Sequence, residues 1–231
     1  MRRSHWLISL ATLTIIVLAI MLVACSTSSP DLLNVDGEGN TSIDNDALTE
    51  TINETPATAL SDLEKQGILY MCEEEKLARD VYLQLYDKWG VTSFNNISRS
   101  EQTHTDAIKS LIDRYNLDDP AEGRGLGEFT NKELQQLHDD LIKQGSQSEV
   151  DALKVGAAIE EIDILDIEMY VAQTDKSDIK LVYENLLKGS RNHLRSFVSV
   201  MQKRGIVYQP QYMTTDQYNE IVGSAIEKGG G

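Results

Sequence analysis

Residues Ile97–Tyr115 read ISRSEQTHTDAIKSLIDRY, and this stretch decides how the rest of the chain is understood. Its apolar residues Ile97, Ile108, Leu111, Ile112 and Tyr115 fall at helical spacing and form one stripe. Followed toward the N-terminus, the stripe meets His104 and Glu101 where an aliphatic residue would be expected. Residues i and i+3 project side by side from a helix, so a carboxylate and an imidazole point together into the buried face. A lone buried carboxylate costs several kcal/mol unless something compensates it, and a Glu-x-x-His pair facing inward is how helical bundles hold a metal. The spacing alone is weak, so the other helices must decide.

The chain has 231 residues, enough for one domain of ordinary size with extensions. Arg2 and Arg3 precede an apolar run from Leu7 to Val23, which reads as a targeting segment over residues 1–24. The run ends in Leu22-Val23-Ala24-Cys25, which resembles the lipobox of prokaryotic lipoproteins. That resemblance implies cleavage before Cys25, lipid on its sulfur, and a membrane as partner through that lipid; an uncleaved anchor is the alternative. Either way the domain is expected outside the cytoplasmic membrane. The net charge of −16 becomes two units more negative without Arg2 and Arg3, a surface that repels nucleic acid and anionic headgroups. With Cys25 lipidated, Cys72 has no partner for an intramolecular disulfide, and it lies on an apolar stripe as a buried thiol.

Residues 25–59 are rich in Ser, Thr, Asn, Asp and Gly and are expected to form a flexible acidic tether. The domain proper is expected over residues 60–212, with a tail and a weak terminal helix from Thr215 over 213–231. The pattern Ser61-x-x-Glu64 opens a first helix that Gly90 ends. Its stripe runs Ile68, Met71 or Cys72, Glu75, Ala78, Tyr82, Leu85 and Trp89, which leaves Glu73 and Glu74 expected to face water. The second helix covers about 93–115 and stops at Asn116–Pro120. The Gly123–Gly127 stretch lacks a preceding strand and a Lys-Ser/Thr end, so it reads as a plain connection, not a phosphate loop. Thr130-x-x-Glu133 is expected to cap a short helix on which His138 faces solvent.

The third long helix, about 148–173, carries Glu160, Glu161, Asp163, Asp166 and Glu168 among Ile159, Ile162, Ile164, Leu165 and Ile167. Apolar residues cover most of its circumference, so some of these acids must be buried. The fourth, from Ser177 to before Gly205, places His193 and Ser190 on the stripe of Val182, Leu186, Phe197 and Met201, and Gly189 suggests close approach by a neighbour. The segment Val207–Tyr212 is expected to be extended.

An internal repeat joins these helices. Glu75, Ala78 and Tyr82 correspond to Asp163, Asp166 and Tyr170, and Glu101 and His104 correspond to Ser190 and His193. Two helix pairs repeated in this way predict an all-α, up-down four-helix bundle with the short extra helix between helices two and three, and polar groups converging midway along it.

Glu75-Lys-Leu-Ala78-Arg79-Asp-Val-Tyr82 with Glu101-x-x-His104 resembles the first half of a ferritin-like, rubrerythrin-type di-metal bundle. The stretch from Leu69 to Tyr212, with GAAIEEIDILD and YENLLKGSRNHLRSF, resembles a domain-of-unknown-function family in the ferritin-like superfamily. The resemblance implies Glu75, Glu101, His104 and His193 as metal ligands, with a helix-three carboxylate from Asp163, Glu160, Asp166 or Glu161, in that order of preference by the repeat. Ser190 stands where the second bridging glutamate would be, and a hydroxyl cannot neutralise a pair of cations as a carboxylate does.

The expected function is therefore a lipid-anchored metal-binding protein. Mixed carboxylate and imidazole ligands suit iron, manganese or zinc. A di-iron or single-metal oxidoreductase is one form of it, with Tyr82 and Tyr170 as donors behind the ligands. The alternative is a non-catalytic bundle that has lost the metal and neutralises its acids with Arg79, Arg191 or Arg195. A homodimer is compatible with both. Neither needs nucleic acid, and no Ser or Cys nucleophile is arranged for catalysis.

Overall fold

The computed structural model describes residues 32–36 and 40–229; the leader over 1–24 and Cys25 lie outside the described residues. The order of elements is β1 (Leu33–Val35), β2 (Thr41–Ile43), α1 (Asn45–Asn53), α2 (Asp62–Trp89), α3 (Thr92–Tyr115), α4 (Lys132–Gly145), α5 (Glu149–Val171), α6 (Ser177–Lys203) and α7 (Thr215–Gly223). The protein is predominantly helical, with a single two-stranded antiparallel pairing of β1 with β2 among the described residues. No helix among them is long and apolar enough to cross a membrane.

The long helices begin and end where local chemistry requires. Ser61 and Glu64 form a reciprocal capping box at the start of α2. Gly90 ends α2 in the left-handed region at φ 67°, a conformation costly for residues with a Cβ. Asn116 does the same for α3 at φ 51°. Ser148 caps α5. The cap of α4 is Asn131, whose side chain accepts from the backbone of Glu133 and Leu134, and not the expected Thr130.

Helix α2 packs along α3 and α5 along α6, while α2 meets α5 and α3 meets α6 across the molecule; α4 lies against α2 and α5. Apolar packing divides into two clusters. One gathers Tyr82, Leu85, Phe94, Phe197 and Met201 with the α4 residues Leu134 and Leu141. The other gathers Ile68, Met71, Ile108, Leu111, Val182 and Leu186. The polar positions of the four long helices lie in the sequence between these two sets.

The reading of 25–59 as a flexible tether needs correction over its described part. Leu32, Leu33, Ile43, Leu48 and Ile52 are buried and belong to the second apolar cluster. Strand β2 and α1 lie on α3 and α6, and β1 is paired to β2. Asp44 caps α1 by accepting from the Ala47 N–H. The polar composition hid a sparse set of apolar residues that is enough to dock a short segment on a preformed helical face.

Two further expectations are overturned. Glu73 and Glu74 are each only 3% exposed, and His138 is 6% exposed. His138 lies against the Phe129 ring with its Nε2 2.8 Å from Gln84 Nε2. Successive residues of an α-helix turn by about 100°. Since α2 has neighbours on three sides, the run Glu73-Glu74-Glu75 sends three carboxylates toward three different elements. Glu73 accepts the backbone N–H groups of Thr130 and Asn131 at the start of α4, Glu74 faces Asp166 on α5, and Glu75 meets His104 on α3.

Segment Val207–Tyr212 has no strand partner among the described residues. It is held by Glu161, which accepts from the Tyr208 hydroxyl at 2.7 Å and from the backbone N–H of Tyr212 at 2.7 Å and Met213 at 3.0 Å. Glu161 thus turns away from the other acids of α5.

Candidate metal centre

Glu101 is the hub of a buried polar cluster. Its Oε2 lies 2.9 Å from His104 Nδ1, and its Oε1 lies 2.9 Å from His193 Nδ1. Each imidazole also has a second carboxylate of its own. Glu75 Oε2 is 3.2 Å from His104 Nδ1, and Glu160 Oε2 is 3.5 Å from His193 Nδ1. Two carboxylates therefore converge on each Nδ1, which can donate at most one N–H. The two rings are stacked, with centroids 5.3 Å apart. All five side chains are essentially inaccessible to solvent.

The outer nitrogens are fixed by packing. His193 Nε2 is 2.9 Å from the hydroxyl of Thr41, which β2 carries to the cluster. Thr41 is itself tied to α3, since its N–H donates to the Ser100 hydroxyl at 3.1 Å. His104 Nε2 lies over Gly189, where a Cβ would come within 2.5 Å of it. The close approach expected at Gly189 is thus that of the His104 ring. Behind Glu160, the Tyr82 hydroxyl donates to Oε1 at 2.6 Å and also reaches the Gly156 carbonyl.

Asp163 occupies the side of the cluster facing Ser190. The Ser190 hydroxyl donates to Asp163 Oδ2, while Oδ1 is buried without a partner. Glu75 Oε1, Glu101 Oε1, His104 Nε2 and His193 Nδ1 are likewise buried without a well-formed hydrogen bond. The approach of Glu101 Oε1 to His193 Nδ1 is close, but it lacks the alignment of a hydrogen bond.

Electrostatics follow from this crowding. Burial and the neighbouring acids raise Asp163 well above the usual carboxylate range, and burial raises Glu75 and Glu160 also, against the pull of His104 and His193. Burial would raise Glu101 too, but the imidazoles of His193 and His104 on its two oxygens hold it well below its ordinary value. Burial disfavours charge on the imidazoles, yet Glu101 and Glu75 raise His104 to about 10, and Glu101 and Glu160 raise His193 to about 9. The buried acids of the cluster outnumber its buried bases.

The four expected ligands Glu75, Glu101, His104 and His193 meet in this cluster, and of the four candidate acids on α5 Glu160 and Asp163 join them, while Glu161 turns away and Asp166 faces Glu74. Ligand atoms of Glu101, His104 and His193 lie within 4.8 Å of one another, the spacing at which a metal ion could be held. Tyr82 stands behind the cluster as expected. Tyr170 does not, because its ring covers Gly67 at the far end of α2 and packs against Tyr70. Arg79 binds Asp80 and Gln102, and Arg191 and Arg195 bind Glu227, so none of these three arginines neutralises the cluster. Cys72 is buried, with Sγ 3.6 Å from Asp119 Oδ1 and its thiol pushed up by burial. Thr41 was missed, since a threonine in a polar segment carries no periodic signal.

Fold and site together define a predominantly helical protein with a buried carboxylate–imidazole cluster at the meeting of four long helices. The chain belongs to the family described as "Uncharacterized protein domain (DUF2202)", whose model matches residues 64–225. It is similar to the uncharacterized protein MJ0754 of Methanocaldococcus jannaschii, with 50% identity over 182 residues that cover 79% of this chain and 98% of that protein. The crystal structure of the hypothetical protein MJ0754 from Methanococcus jannaschii DSM 2661 superposes with a TM-score of 0.73 at 51% identity, covering 75% of this chain and 99% of that one.

Proposed function

We propose that this protein is a metal-binding protein whose four long helices form a ferritin-like bundle, with the ion or ions bound around Glu101. The observation that carries this is the pair of 2.9 Å approaches from the two Glu101 oxygens to two imidazole Nδ1 atoms. Ligands about 2.1 Å from one ion and at right angles stand about 3 Å apart, so this spacing suits donors sharing a cation. Glu101 with His104 and Glu75 would hold one ion, and Glu101 with His193 and Glu160 would hold a second. Asp163, oriented by Ser190, supplies the carboxylate that Ser190 cannot.

A metal-ligating histidine usually donates its other N–H to a second group, which fixes the tautomer. Thr41 would do this for His193. When bound, iron or manganese would supply redox or oxygen chemistry, and zinc would supply Lewis acidity. The protein's part is to hold the donors in place, exclude water, and place the Tyr82 hydroxyl on Glu160 as a proton donor. An oxidoreductase follows from iron or manganese. Export and a lipid on Cys25 belong to the same proposal, supported by the Leu22–Cys25 sequence.

A non-catalytic bundle is the second reading, favoured by Ser190 in place of a carboxylate. Metal analysis separates the two. The full chain, Glu101→Gln and His104→Gln are purified from one medium and their metal content is measured beside their melting with and without chelator. Metal that stays bound through purification of the full chain and is lost from both variants, with melting lowered by chelator, is expected. Equal content in all three, with melting indifferent to chelator, would overturn the metal reading and leave the non-catalytic bundle.

A further inference from the structure

Glu74 is not needed by the cluster around Glu101, yet it is buried beside it. It is 3% exposed, and both of its carboxylate oxygens are buried without a hydrogen-bond partner. Its charged neighbours are acids, Asp166 opposite it on α5 with Glu75 and Asp163 further in, and the Tyr70 and Tyr170 phenols lie on its outer side. Asp166 is half-buried and also meets the partly exposed Tyr70, so this row of oxygen atoms begins near solvent and ends at the cluster. The cationic side chains nearby in sequence are engaged elsewhere. Lys76 binds Asp80 and the carbonyls of Gly125 and Glu128, and Arg79 binds Asp80 and Gln102. Two carboxylates face to face, one of them buried and unpaired, need either a proton or a cation between them.

We propose that Glu74 and Asp166 form an outer cation site in the seam between α2 and α5, and that a divalent ion passes from it to the inner cluster by way of Asp163. The outer site is made of oxygen donors alone, which suits hard ions such as manganese(II), iron(II) or magnesium over softer ones. Asp163 is placed for the transfer because its Oδ1 is free of hydrogen bonds while Ser190 holds Oδ2. The transfer step rests on the metal reading of the inner cluster, whereas the outer site stands without it.

Manganese(II) binding followed by the loss of free-ion electron paramagnetic resonance tests both. With the inner cluster disabled by Glu101→Gln, the chain is expected to keep a weaker manganese site, which a second change, Glu74→Gln or Asp166→Asn, abolishes. Asp166 is half-buried, so its variant keeps the test informative if Glu74→Gln fails to fold. In the chain with Glu101 intact, the same changes are expected to remove the weaker site and to slow filling of the inner cluster by about tenfold or more, as for loss of a charge-focusing entry, with the inner cluster's final content unchanged. If Glu101→Gln binds no manganese, or if neither change alters binding, the outer site is overturned and the two carboxylates share a proton only. Filling at an unaltered rate overturns the passage. Manganese that is lost with Glu74 or Asp166 but not with Glu101 would instead overturn the inner centre and leave the outer site standing.

Discussion

Thr41 Oγ1 lies 2.9 Å from His193 Nε2, joining the strand pair β1–β2 to the buried carboxylate–imidazole cluster. With a metal bound, the Nε2–H would donate to the threonine oxygen and Nδ1 would be left as the ligand. Thr41→Val keeps the shape and removes the acceptor. We expect metal affinity to fall by ~10- to 100-fold, the usual effect of losing such a partner. Calorimetric titration of the two chains checks it, and equal affinities would separate Thr41 from the site.

The hairpin and α1 should also matter to folding. Leu48 and Ile52 of α1 are buried with Leu32, Leu33 and Ile43, and fully burying each large apolar side chain contributes about 1.5–3 kcal/mol as an upper figure. A chain that begins at residue 60 is expected to be less stable than one beginning at residue 26 by more than about 3 kcal/mol. Denaturant unfolding measures the difference. Identical midpoints would restore the flexible tether.

At Gly189 a methyl group would sit 2.5 Å from His104 Nε2. The ring cannot yield without leaving Glu101 and Glu75. Gly189→Ala is expected to cost about 1–3 kcal/mol in stability, the usual range for overpacking, and to weaken metal binding with it. Thermal unfolding and metal content of the variant test this together. A variant that melts and binds as the parent does would show that the ring can move freely.

The cluster also predicts how the metal-free protein responds to pH. His104 and His193 are raised to about 10 and about 9 from an ordinary value of about 6.5. Groups raised on folding contribute stability that is complete below the unfolded value and is lost as pH rises through the folded one. Metal-free protein should therefore lose stability from about pH 6.5 toward pH 10. Glu75 and Glu160, also raised, act in the same sense from lower pH. A bound metal replaces these protons, so affinity should rise with pH over the same window. Denaturant midpoints against pH, with chelator and with metal, check it; parallel curves would contradict it.

The four long helices were legible because their apolar stripes are long and their ends carry ordinary signals, such as Ser61 with Glu64 and Gly90. The buried carboxylate–imidazole cluster was legible for the same reason. Glu75, Glu101 and His193 interrupt stripes that are otherwise apolar, and a polar residue on a buried face needs a partner. Glu160 and Asp163 could only be narrowed to a group of acids, because α5 is apolar around most of its circumference and no single face identifies itself. Glu73 and Glu74 were misplaced for the complementary reason. A stripe marks one buried face, whereas α2 is enclosed by α3, α4 and α5 and buries three. Thr41 and α1 were out of reach because their burial depends on a surface made by α3 and α6, which no local pattern records.

Metal shared by Glu101, His104 and His193 would be visible in a crystal. Crystals of the full chain loaded with manganese, measured with anomalous scattering at the manganese edge, test it most directly. We predict an anomalous peak within about 2.0–2.3 Å of a Glu101 oxygen and of Nδ1 of at least one of the two histidines. A cluster without any such peak, its imidazoles hydrogen-bonded to the surrounding carboxylates at full manganese load, would contradict the account.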